Sequence, residues 1–182
     1  MSRTLSAAVA IAVLLFAAAY VGSPFWAARQ FQAAALSADV ERIDAAIDFP
    51  AVRESLKSQM TVALTDRMRN DPDMRANPFA GLGMMVMPVI IDKAVDGFVT
   101  PEAMSAMIRR GRMERGAPEP TIDRHVDYDY DYRTLDRFAV AVKASGTERR
   151  DAPRFVFERR GLFSWKVIRL ELPDSMFAGE TV

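Results

Sequence analysis

Three aspartates alternate with three tyrosines where the chain reads VDYDYDY from Val126 to Tyr132. Carboxylates at every second position share one face of a strand, about 7 Å apart at a rise of roughly 3.3 Å per residue. Such oxygens could attract calcium, but a calcium loop also needs a glycine-containing turn and a bidentate acid. Neither follows Asp127, Asp129 and Asp131. They are expected instead to form the solvated face of an edge strand, where charge opposes edge-to-edge pairing. Tyr128, Tyr130 and Tyr132 share the other face with Val126. A tyrosine beside an aspartate could serve acid–base chemistry, yet no second partner is placed beside them.

Other chemistries lose their residues outright. His125 is the single histidine and the chain has no cysteine, so a multi-histidine metal site within one chain, a thiolate site and a thiol nucleophile are all excluded. His125 reads as an ordinary surface residue near the start of a strand. No glycine-rich phosphate loop, nucleophile elbow or HExxH occurs, and Gly81 and Gly83 form a lone GxG inside an apolar segment, where helix packing explains them. No metal, no cofactor and no catalytic residue is expected. The 24 basic and 24 acidic residues are interspersed, so no basic patch argues for nucleic acid.

What remains is a surplus of aromatics and methionines. Tyr128, Tyr130, Phe138, Phe155, Phe157 and Trp165 are the candidate ligand-binding set, because aromatics over a curved sheet can line an apolar pocket. Met84 and Met87 join them as adaptable side chains suited to a deformable lid. Filling the core under a layer of helices is the competing role for the same residues.

The elements that would position them fall into a helical half and a strand half. Ser23-Pro24 predicts a helix start and a helix over Pro24 to Leu36. Val40, Ile43 and Ile47 recur at helical spacing, with Ser37 or Asp39 as cap. After Phe49-Pro50, a third helix carries Val52, Leu56, Met60, Ala63, Leu64 and Met68 on one stripe, with charges on much of the rest. Asn70-Asp71-Pro72 ends it and Asn77-Pro78 opens the next.

Phe79 to Ile91 holds thirteen residues without a charge, too few to cross a bilayer. It predicts a buried helix, kinked near Pro88 and packed against the sheet. Thr100-Pro101-Glu102 starts a further helix with Met104, Met107 and Ile108 on its apolar edge, Arg109 and Arg110 in its last turn and Gly111 closing it. Arg112 to Asp123 reads as an exposed connector.

Four strands follow, around Val126–Tyr132, Phe138–Val142, Phe155–Phe157 and Phe163–Leu172. Thr134-Leu135-Asp136 and Arg160-Gly161 supply hairpin turns. The last strand changes phase after Val167, which a β-bulge would explain. Helices followed by an antiparallel meander predict an α+β domain, with several short helices on one face of a four-stranded sheet.

Ahead of this domain, Leu5 to Gly22 carries no charge and is just long enough to span a bilayer. The division is therefore residues 1–22 as a transmembrane anchor or signal segment and 23–182 as a single domain. As an anchor, the segment keeps Tyr20, Phe25 and Trp26 at the outer interface. As a signal peptide, it would be cut at Tyr20 after Ala17 and Ala19. Arg3 and the amino terminus ahead of the run hold that end in the cytoplasm and export the remainder.

The stretches SPFWAARQFQAA, DAAIDFPAVRESLKSQM, NPFAGLG, DKAVDGFVTPEAM, YDYRTLDRF and FERRGLFSWKVIRLELP resemble the bacterial domain-of-unknown-function 2939 family over nearly the entire chain, most specifically in DFPAVRESLK and VTPEAM. The resemblance implies a proteobacterial envelope protein and no particular reaction. The order of elements is also similar to the cone-shaped nuclear-transport-factor and cystatin-like folds, an analogy of fold alone. The expected function is a non-enzymatic envelope domain on the cytoplasmic membrane, facing the periplasm, that binds a protein partner or an apolar, lipid-like molecule. The alternative is a small isomerase or hydrolase with a sheet-lined pocket, or a domain released to the periplasm after cleavage.

Overall fold

The computed structural model describes residues 3–70, 80–114, 126–144 and 148–176, and the side chains of Ala80, Gly81, Leu82, Met84, Ala144, Arg149 and Asp174 are outside that description. Five helices precede four strands among the described residues: α1 (Arg3–Ser37), α2 (Val40–Ala46), α3 (Phe49–Asn70), α4 (Ala80–Phe98) and α5 (Pro101–Glu114), then β1 (Val126–Thr134), β2 (Arg137–Ala144), β3 (Arg154–Arg159) and β4 (Trp165–Glu171). The α+β class is as the sequence predicts.

The apolar run and the helix expected from Pro24 are one element. Pro24 lies inside α1, not at a helix start. Proline has no N–H and leaves the carbonyl four residues back without its helical partner. That carbonyl belongs to Tyr20. The Ser23 hydroxyl donates to it at 2.8 Å and Arg159 Nη2 approaches it at 3.4 Å. Ser23 therefore mends the helix rather than capping a new one. α1 ends at Ser37, just before Ala38, whose φ of 51° is left-handed, and the buried Ser105 hydroxyl of α5 donates to the Ala38 carbonyl at 2.6 Å.

The short helices follow their local signals. Asp39 caps α2 through the Arg42 N–H, Asp48 caps α3 through Ala51 (3.2 Å) and Thr100 caps α5 through Ala103 (3.1 Å). Asp48 also ties the α2–α3 junction to the sheet: its N–H donates to the Val167 carbonyl at 2.8 Å, and its carboxylate meets Arg160 at 2.8 Å. α5 runs on through Gly111 to Glu114, so Gly111 does not close it. Within α5 the fully buried residue is Ser105, whereas Met107 is exposed.

The sheet is an antiparallel meander in the order β1-β2-β3-β4. Tyr132 pairs with Phe138, Phe138 with Phe157, and Tyr130 with Val140 and then Phe155, so these side chains share one face. Between Val156↔Arg169 and Phe157↔Val167, β4 holds one extra residue, Ile168. This bulge returns Leu170 to the face of Trp165 and Val167, as the phase change predicts. A Cβ at Gly161, in the β3–β4 turn, would come within 2.7 Å of Ser164 Oγ.

Phe138, Phe157, Trp165 and Val167 are buried beneath the helices, together with Ile43, Ile47, Phe49, Val52 and Leu56. On the opposite face Ala139, Ala141 and Val156 are buried as well. There Arg133 reaches across two strands to Glu171 with two contacts of 2.7 Å. That bidentate bond holds the Glu171 carboxyl below its usual range and raises the Arg133 guanidinium above its own.

α4 departs most from its sequence expectation. It does not pack on the sheet. It lies along α3, where Lys57 meets Asp96 at 2.9 Å and Asp92 at 3.5 Å, and the bond to Asp96 raises the Lys57 pKa. Among its described side chains only Ile91 and Val95 are buried, while Met85, Val86, Val89 and Ile90 are more than half exposed. The four exposed positions belong to the side of the helix turned away from α3. Residues 77–79, expected to open this helix, fall outside the described residues.

Candidate functional site

The C-terminal half of α1 lies across the aromatic face of the sheet. Phe25 contacts the rings of Tyr130, Tyr132 and Phe138 at 5.1–6.0 Å, and Phe31 contacts those of Phe155 and Phe157 at 5.1 and 5.7 Å. Small residues permit this close approach: Ser23, Pro24, Ala28 and Ala34 are the buried positions of the helix. A helix laid over a wider sheet leaves a groove on each side.

One groove, of about 300 Å³, is bounded by Ala28, Phe31, Gln32 and Ala35 of α1, by Met104 and Ile108 of α5, and by Tyr128, Tyr130, Val140, Val142, Phe155 and Phe157 of the sheet. This volume is at the lower end for a small-molecule site. Its polar feature is a hydrogen bond of 2.9 Å from Gln32 Nε2 to the Tyr128 hydroxyl. Among the described residues no carboxylate, lysine or arginine is in the lining. The second groove, about 460 Å³, lies between α1, α2 and the β3–β4 loop, with Trp26, Gln30, Arg42, Phe163 and Trp165 in its walls.

The sequence candidates are thus divided. Tyr128, Tyr130, Phe155 and Phe157 come together in the first groove, and Phe157 also reaches the second, where Trp165 stands. Phe138, with no exposed surface, fills the core instead. Met87 sits elsewhere, in a space of about 100 Å³ between α3 and α4 with Leu64, Met68 and Ile91. The Met84 side chain and His125 lie outside the described residues. Sequence reasoning missed the opposite wall, Phe31, Gln32 and Ile108. The cue was present, since Phe31 and Gln32 stand among alanines on a helix that must bury one side.

The aspartates are on the other face of β1. Asp129 lies 4.0 Å from Lys143, and among the described residues no cluster of acidic or histidine side chains could hold a metal. Arg159 is the buried charge, with 7% of its side chain exposed. Its guanidinium lies over the rings of Tyr20 (3.8 Å) and Trp165 (4.2 Å), meets Asp136 at 3.3 Å and donates to the Leu135 and Leu162 carbonyls. The Tyr132 hydroxyl donates to the Val21 carbonyl, and burial raises its pKa against the opposing pull of Arg159. α1 is long and apolar enough to cross a membrane, and none of its apolar window is buried. That is compatible with a single-pass anchor or a signal sequence.

No curated protein and no solved structure matches the chain. The family model described as "Protein of unknown function (DUF2939)" matches residues 13–107. This span runs from the apolar half of α1 into α5 and contains DFPAVRESLK and VTPEAM; the four strands lie beyond it. Because the match takes in just over half of the 182 residues, the chain belongs to the DUF2939 family of proteins of unknown function.

Proposed function

We propose that this protein is a non-enzymatic domain of the bacterial envelope, anchored in the cytoplasmic membrane by residues 5–22 and facing the periplasm, that holds an apolar, lipid-like molecule between α1, α5 and the sheet. The observation that carries this reading is the lining of the smaller groove. It is apolar except for the Gln32–Tyr128 pair and Tyr130, a composition suited to orienting one polar end of an otherwise apolar ligand. Tyrosine–aspartate chemistry is disfavoured by the alternation of β1, which sends Asp127, Asp129 and Asp131 to the face opposite Tyr128 and Tyr130.

The test is native mass spectrometry of the full chain extracted from its own membrane. The parent is expected to carry an adduct of lipid-like mass, and Ala35→Phe, which fills the groove from a half-buried position, is expected to lose it. An unliganded parent, or an adduct that survives the substitution, counts against the binding role. A product beginning at Tyr20 counts against the anchor.

A further inference from the structure

We propose that the tips of both hairpins, Leu135 in the β1–β2 turn and Leu162–Phe163 in the β3–β4 loop, are inserted into the lipid bilayer beside α1, so that the domain is seated in the membrane surface and not tethered above it. This rests on residues 5–22 being a retained span.

The depth follows from one contact. The Phe163 ring meets the Phe16 ring edge-on, with centroids 5.7 Å apart. Phe16 lies six residues inside the end of the apolar run at Gly22, about 9 Å along the helix at roughly 1.5 Å per residue. Helical side chains lean toward the N-terminus, which here is the deeper direction. A loop that touches the Phe16 ring cannot stand above the layer that residues 5–22 occupy. The side chains at the tips suit that layer: Leu135 is 71%, Leu162 62% and Phe163 42% exposed.

Backbone polar groups at such depth need partners within the protein, since lipid supplies none. Several of these groups at each tip have such partners. Arg159 donates to the Leu135 carbonyl and the Leu162 carbonyl, one guanidinium serving two turns, and the Arg160 N–H donates to the Ser164 carbonyl at 2.9 Å. The charge of Arg159 is itself met by Asp136 and by the faces of Tyr20 and Trp165. Tyr20, Tyr132 and Trp165 gather around Arg159 and residues 20–23 of α1, at the end of the apolar run, where amphipathic aromatics mark a membrane interface. Arg137, more than half exposed, flanks the β1–β2 tip and can extend to lipid phosphates.

Because the chain has no cysteine, single cysteines can report depth directly. Full-length chain with Leu14→Cys, Leu135→Cys, Leu162→Cys or Val62→Cys is spin-labelled and reconstituted in vesicles of phosphatidylethanolamine and phosphatidylglycerol. Collision with oxygen, which concentrates in lipid, is compared with collision with a water-soluble nickel chelate. The two tip labels are expected to resemble the Leu14 label, with an oxygen-to-nickel ratio several-fold above that of Val62, an exposed residue of α3. Tip labels that match Val62 while Leu14 stays in lipid overturn the insertion and leave the anchor standing. Tip labels shielded from both reagents indicate a protein contact and overturn it too. A Leu14 label in water, or absent from the product, overturns the anchor and the insertion together.

Discussion

α3 and α4 lie side by side, and the more charged of the two is the better buried. α3 carries Arg53, Glu54, Lys57, Asp66, Arg67 and Arg69, yet buries Phe49, Val52, Leu56 and Met68. α4 has charges only at Asp92, Lys93 and Asp96, yet buries just Ile91 and Val95 among its described side chains. The difference lies in what each helix faces. α3 has β4 on one side and α4 on the other, whereas α4, among the described residues, has α3 and a smaller contact with α5. Composition sets how much apolar surface a helix offers; the number of neighbours sets how much of it is covered.

The sharpest break of this comparison is a charge placed on the covered side of α4. Ile91, 3% exposed, replaced by aspartate should cost about 3–5 kcal/mol as an uncompensated buried charge, read as a lowered denaturant midpoint. Retained stability there would remove α4 from α3. An intermediate loss is expected from Ser105→Ala, since α5 buries a hydroxyl in place of its methionines. Deleting it leaves the Ala38 carbonyl without its buried donor, a cost of about 1–3 kcal/mol, measurable by chemical unfolding. An unchanged midpoint would show that water reaches that carbonyl. The smallest effect should come from the open side of α4: Met85→Asp and Val86→Asp, at 77% and 53% exposure, are expected to stay within about 0.5 kcal/mol of the parent. A large loss from either would mean that something covers that side.

These expectations reverse what the sequence alone suggests for α4, and the reason is physical. FAGLGMMVMPVII carries no signal that separates a helix buried all round from one buried on one edge. Other elements were legible because their cues are local. Asp39 and Thr100 cap helices through bonds three residues away, and the alternation of β1 and the phase change at Val167 set a register that pairing then obeys. The candidate groove was half legible. Its sheet wall follows from alternation, but its helix wall depends on where α1 crosses. The continuity of α1 was hidden by Pro24, because the repair of the Tyr20 carbonyl comes partly from Arg159, 139 residues along the chain. A start signal and a mended interruption look alike until the distant partner is in place.

An unbroken α1 has a mechanical consequence. Its second half is wedged against the sheet, so under the proposed anchoring the lipid-embedded first half would share one axis with it, with no swivel between them. A span tilts when the surrounding hydrocarbon thins or thickens, and here any such tilt is carried into the domain as a rotation of the whole body. The helix is a lever with its fulcrum at Tyr20–Ser23, where Arg159, Tyr132 and Trp165 grip it. With the proposed anchor in place, bilayer thickness would be converted into the angle at which the two grooves and the open side of α4 are presented to their surroundings.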